Sequence, residues 1–279
     1  MNPNPTISIL LVVHNQEDDI ETTLNEIYDH LATPFECVII DDASHDDSPE
    51  IIKSVIEYHQ HENTFYFEHN EPAGRGVRLN QALAQASGSI LWNPVHISHL
   101  ETEELVDAAT RLRDEQKAFG LMEDYQLPKK TEGWLEYIKT ADWPINDYFL
   151  WNLNKIPAAQ CYFQPRLNRF QSLELALRIT KDIDYLEIPR FFSMESNAGY
   201  GNVMPDQSNR YDLLFSLLQR YDKLSIKQEF SELINTDIEK TEQAVEEGNI
   251  STLLTNAKKC FNRGDSSAAL EAVNALLDK

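Results

Sequence analysis

Two adjacent aspartates, Asp41 and Asp42, follow the apolar run Cys37–Ile40 and precede Ala43 and Ser44. A carboxylate at the end of a strand, beside a loop, can accept hydrogen bonds from the ring N–H groups and hydroxyls of a nucleoside. The same residues, with Asp46, Asp47 and Ser48, would equally serve as a helix-capping turn. Upstream, His14 and Asn15 close a second apolar run, Ile7–Val13, and would stand beside the aspartates. Gly74-Arg75-Gly76, followed by Arg78 and Asn80, suits phosphate chemistry: glycines let backbone N–H groups approach the ligand, and an arginine adds charge and forked hydrogen bonds. A flexible surface loop is the other reading. Glu174 is a weak candidate for a general base, or else a solvent-facing helix residue. Lys129 and Lys130 could neutralise a diphosphate, or simply form an exposed basic loop.

An absence is equally informative. No aspartate occurs between Asp47 and Asp107, and Ser87–Leu100 holds neither Asp nor Glu. Magnesium and manganese prefer oxygen ligands, which Pro94 and Val95 cannot supply from their side chains. His96 and His99 lie three apart, a spacing that two-histidine metal sites share with ordinary buried or exposed histidines. The sequence therefore predicts no divalent-metal site and no cofactor.

The elements that must position these residues follow from periodicity. Ile7–Val13 is an apolar, β-branched run expected of a buried parallel strand. Ile20, Leu24, Ile27, Tyr28 and Leu31 fall at helical spacing, predicting a helix over Glu17–Leu31. Cys37–Ile40 reads as a strand, and Ser48-Pro49 opens a helix carrying Ile51, Ile52, Val55 and Ile56. Thr64–Glu68 reads as a strand, Leu79–Ala86 as a short helix and Ser89–Trp92 as a fourth strand. That alternation predicts a parallel sheet flanked by helices, with ligands at the carboxyl ends of the strands. Further on, Thr102–Lys117 and Gln171–Thr180 read as helices, Ala118–Met122 and Tyr185–Phe192 as strands, and Asn197–Gln207 as a loop. Leu127–Pro157 is rich in aromatics without a clear period. Its Trp134, Tyr137, Trp143, Tyr148, Phe149 and Trp151 suit either a carbohydrate platform or a core.

Ile7–Asn15, Glu36–Asp47 and Gly74–Gly88 together resemble the nucleotide-binding half of a family 2 glycosyltransferase. The resemblance implies a GT-A fold: an α/β, mainly parallel sheet of the nucleotide-diphospho-sugar transferase kind, flanked by helices. It implies a nucleotide-sugar donor, a glycan or other acceptor, and nucleotide binding by His14, Asn15, Asp41, Asp42, Arg75, Arg78 and Asn80. It also exposes departures. The family's metal-binding Asp-x-Asp would fall in the carboxylate-free stretch after Ser89–Trp92, at Val95 and Ile97. The family's Glu-Asp pair, which carries the general base, would fall at Gln171 and Ser172. Neither side chain can take a proton near neutral pH. A histidine expected after the following strand is also missing from Phe192–Gly199. The resemblance therefore implies a transferase degenerate at the metal and base positions, or a non-catalytic binding or scaffold module of a surface-glycan pathway.

Composition sets the outer limits. With 279 residues, the chain suits one large α/β domain, assigned to 1–222, and a helical tail, assigned to 223–279. Leu253–Leu277 resembles one tetratricopeptide-type helix pair, a unit that needs neighbours to bury its faces and so is expected either to pack on the α/β domain or to begin an array, with a docking surface for a protein partner in the scaffold reading. A formal net charge of −22 opposes nucleic-acid and anionic-membrane binding. No apolar run approaches the ~20 residues of a membrane span, and MNPNPT lacks signal-peptide character, so a cytoplasmic location is expected. Cys37, Cys161 and Cys260 have no metal or disulfide spacing.

Overall fold

The computed structural model describes residues 7–31, 33–128, 146–165, 170–179 and 184–193, with 137, 167 and 213 as isolated positions. The chain divides into two compact units, Met1–Met204 and Pro205–Lys279, and every element below belongs to the first. Lys129, Lys130, Trp134, Trp143, the 197–207 loop, Cys260 and the 223–279 tail lie outside the described residues.

A seven-stranded sheet is built from β1 (Ile7–Val13), β2 (Phe35–Asp42), β3 (Thr64–His69), β4 (Ile90–Trp92), β6 (Phe119–Met122), β7 (Phe149–Asn152) and β8 (Leu186–Ile188). Its order is β3-β2-β1-β4-β7-β6-β8. The strands β1 to β4 run parallel, with Ile7 opposite both Phe35 and Ile90. Every residue of β1 and β2 is buried, as continuous β-branched runs require when both sheet faces are covered. A small second sheet pairs β5 (His99–Leu100) with β9 (Phe192–Ser193). The run Tyr185–Phe192, one strand by pattern, is thus divided between two sheets.

The helices are α1 (Ile20–His30), α2 (Ser48–His59), α3 (Arg75–Gln85), α4 (Thr102–Asp114) and α5 (Gln171–Ile179). Pro49 occupies the first turn of α2, where its missing N–H costs nothing. None of the described helices is long and apolar enough to cross a membrane.

Two departures from the pattern matter. The Gly-Arg-Gly run is the first turn of α3, which begins at Arg75 rather than Leu79, with Gly74 as its N-cap at φ 90°. Secondly, the aperiodic aromatic stretch contains β7, which inserts antiparallel between β4 and β6. Phe149 and Trp151 stack with centroids 5.4 Å apart, and Tyr148 is buried as well. These three aromatics are core.

Candidate functional site

The carboxyl ends of β1, β2 and β4 meet the first turn of α3, and most of the residues singled out by sequence gather there. Asp42 is the hub. Its Oδ1 accepts the Ala73 N–H at 2.8 Å and Arg78 Nε–H at 2.7 Å, while Oδ2 accepts the Gly74 N–H at 2.8 Å. Burial alone would raise this carboxyl's pKa, but those donors and the Arg78 charge outweigh it and hold it below the usual range. Asp41 accepts Ser44 Oγ–H and the Ser44 N–H. His14 donates from Nδ1 to the Asp42 carbonyl at 2.8 Å, and Asn15 bridges to Ser44 and His45. Asn15 and Ala43 both sit at positive φ, 53° and 60°. The two strand-end turns are therefore laced together, with His14 and Asn15 exposed on top and the aspartates buried beneath.

The glycine loop does something other than the sequence suggests. The N–H groups of Ala73 and Gly74 go to Asp42 rather than outward. A side chain at Gly76 would meet the Gln164 carbonyl at 2.5 Å, so that glycine admits a neighbouring backbone. Arg78 is turned inward, with Nη1 on Gln81 and Nη2 on the Glu71 carbonyl. Asn80 is committed to Phe163, donating to its carbonyl at 2.7 Å and accepting its N–H at 2.8 Å. Arg75 lies at the ends of β1 and β4. Its Nη1 donates to the Val12 carbonyl at 3.0 Å and Nη2 to the Pro94 carbonyl at 3.3 Å, spanning the ends of β1 and β4.

The segment after β4 is not the carboxylate-free place its sequence describes. Asp147, in a single 3-10 turn before β7, reaches it from 52 residues away and accepts the Val95 N–H on Oδ2 at 2.6 Å. Its own carbonyl accepts Trp92 Nε1–H at 2.8 Å. Among the described residues, none hydrogen-bonds the buried Oδ1. Burial raises the pKa of this carboxyl, opposed by the Val95 N–H and the Arg75 charge. Sequence reasoning missed Asp147; the only signal was one acidic residue directly ahead of the apolar run Tyr148–Trp151.

The positions where the resemblance puts the metal pair are engaged by the fold's own contacts. Ile97 is completely buried and its N–H goes to Thr23 Oγ1 at 3.1 Å. His96 is buried beside Thr23, whereas His99 is exposed and paired with Glu101. Asp147 spends Oδ2 on the Val95 backbone. Among the described residues, no three His, Cys, Asp or Glu side chains gather as a metal set.

At the expected base position, Ser172 is buried with Oγ 3.3 Å from Asn93 Oδ1, and Gln171 donates to the Leu167 carbonyl at 2.7 Å. Glu174 corrects the expectation of a solvent-facing residue: it is fully buried, bound to Arg178 Nη2 at 2.7 Å. Arg178 also donates to the Gln160 and Tyr162 carbonyls and lies 3.9 Å over the Tyr162 ring. This pair fastens α5 to the 160–162 segment.

Residues 8–93 match the family model described as glycosyl transferase family 2. The chain resembles a family 2 glycosyltransferase. It is 32% identical over 87 residues to EpsH of Bacillus subtilis strain 168, a protein named as a glycosyltransferase, and 30% identical over 87 residues to TuaG of the same organism, named for teichuronic acid biosynthesis. Each match covers 31% of this chain and only 24% and 34% of those relatives. Among solved structures, the fold matches TarS 1-349 of S. aureus in complex with UDP, at a TM-score of 0.56 and 18% identity, over 97% of this chain and 83% of that one. It also matches the mannosyltransferase PcManGT of Pyrobaculum calidifontis in complex with GDP-Man and Mn2+, at 0.57 and 18%, over 99% and 81%. The mainly parallel sheet with its flanking helices is thus the GT-A fold, and the resemblance carried by Ile7–Asn15, Glu36–Asp47 and Gly74–Gly88 lies within the matched segment except for Ile7.

Proposed function

We propose that this protein binds a nucleotide sugar without a divalent ion, with Arg75 facing the diphosphate where the family places a metal. The observation that carries the reading is the Arg75 guanidinium held between the Val12 and Pro94 carbonyls at the ends of β1 and β4. A planar cation at the mouth of a parallel sheet can neutralise a leaving diphosphate, and developing charge needs that stabilisation with or without a metal. His14, Asn15 and the Asp41–Asp42 turn form the nucleoside end. The acceptor is a glycan by family.

Transfer itself is slow or absent in this reading, because Gln171 and Ser172 are buried at the base position and Glu174 is tied to Arg178. Losing a positioned base typically removes ~10²–10⁴ in rate. The second reading, a binding module without turnover, rests on those same three residues. Calorimetric titration with UDP and GDP, in manganese and in chelator, tests the proposal. Equal affinity in both conditions is expected, with a ~10-fold loss in Arg75→Ala. Binding abolished by chelator would refute it.

A further inference from the structure

Arg75 and Asp147 act on the same peptide bond. Arg75 Nη2 donates to the Pro94 carbonyl at 3.3 Å, and Asp147 Oδ2 accepts the N–H of the next residue, Val95, at 2.6 Å. The C=O and N–H of one peptide plane are therefore gripped by a cation at one end and a carboxylate at the other. Hydrogen bonds in such a chain polarise one another, and they are stronger in a low-dielectric setting than in water. Asp147 and Asn93 are completely buried, and Gln16 Nε2 donates to the Val95 carbonyl at 3.3 Å, so the turn has little freedom to relax.

We infer that Asp147 is a positioning residue for the diphosphate end of the cleft, fixing Arg75 through the Pro94–Val95 peptide. The inference rests on the nucleotide reading for its functional meaning, though not for its geometry. No residue of the family motifs supplies this carboxylate; it arrives from the segment before β7. Its Oδ2 holds the Val95 N–H and its charge stands opposite that of Arg75.

The test uses the full chain. Asp147→Asn keeps an oxygen to accept the Val95 N–H but removes the charge. In nucleotide-free protein, ¹⁵N NMR of the Arg75 guanidinium should show faster Nη rotation in the variant than in the parent. UDP affinity should fall ~10-fold, while uridine, which lacks phosphates, binds equally to both. In an Arg75→Ala background the same substitution should change UDP affinity no further, because its effect passes through Arg75. Unchanged guanidinium rotation, or equal losses for uridine and UDP, would overturn the inference. If the parent binds neither UDP nor GDP, the nucleotide reading fails, and the guanidinium measurement alone still decides the role of Asp147.

Discussion

Glu36 and Asp147 are buried carboxylates at opposite ends of one parallel sheet, and they are treated in opposite ways. Glu36, near the start of β2, accepts Ser8 Oγ–H, the Ser87 N–H and Oγ–H, and the Gly88 N–H, all within 2.9 Å. Burial would raise its pKa, yet these donors lower it. Asp147, at the carboxyl ends, has backbone donors on one oxygen, none among the described residues on the other, and a raised pKa. The amino ends of the strands are thus sealed by a fully satisfied polar knot, while the carboxyl ends keep polar capacity unspent. Cost is concentrated where ligands of parallel sheets bind.

The sharpest way to break this contrast is at the sealed end. Glu36→Ala should cost ~4 kcal/mol in urea denaturation, since several buried donors lose their acceptor at ~1–3 kcal/mol each. A loss below ~1 kcal/mol would show that the knot is not what holds Gly88 against β1. At the open end, rebuilding the family's metal pair should fail on stability before it can succeed in chemistry. Ile97→Asp places a carboxylate where no surface is exposed and should cost ~3 kcal/mol, whereas Val95→Asp, at a partly exposed site, should cost little. Equal stability of the two variants would show that the Ile97 site can open.

The two carboxylates also predict pH slopes of opposite sign. Glu36 is depressed, so its contribution is present above its unfolded value of ~4.3 and is lost as pH falls through its folded value. Asp147 is raised, so folding favours its neutral form; stability is highest below the unfolded value of ~3.9 and declines as pH rises through the folded value. Urea melts across about pH 3–8 should therefore lose the acid limb in Glu36→Gln and the declining limb in Asp147→Asn. Identical profiles for both variants would remove the distinction. The smallest effect is expected at Ala43, which holds φ 60° in the turn after Asp42. Ala43→Gly should relieve left-handed strain and raise stability by ~1 kcal/mol, read as a higher urea midpoint.

Legibility in the sequence followed the range of the forces involved. The βα units up to Trp92 were readable because continuous β-branched runs and helical spacing are local properties. That Asp41, Asp42 and Arg75 sit close together was readable too, since each stands at a strand or helix end. What each side chain does there was not. Arg78 turns to Asp42 and Asn80 to Phe163, 36 and 83 residues away, and nothing in GRGVRLN records those partners. Glu174 looked solvent-facing because its partner Arg178 is a surface-type residue four positions on; burial of both depends on the carbonyls of Gln160 and Tyr162. The strand β7 was illegible because aromatics buried on both faces leave no alternation to detect.

The Asn80 amide, gripping both the N–H and the carbonyl of Phe163, works as a one-residue splice between a helix and a chain segment far along the sequence. With the Gln164 backbone pressed against Gly76, it leaves no slack between α3 and residues 163–164. Any opening of the cleft must then carry these two pieces as one body, with Arg75 riding on its leading turn. A shift of residues 163–164 would therefore move Arg75 with them.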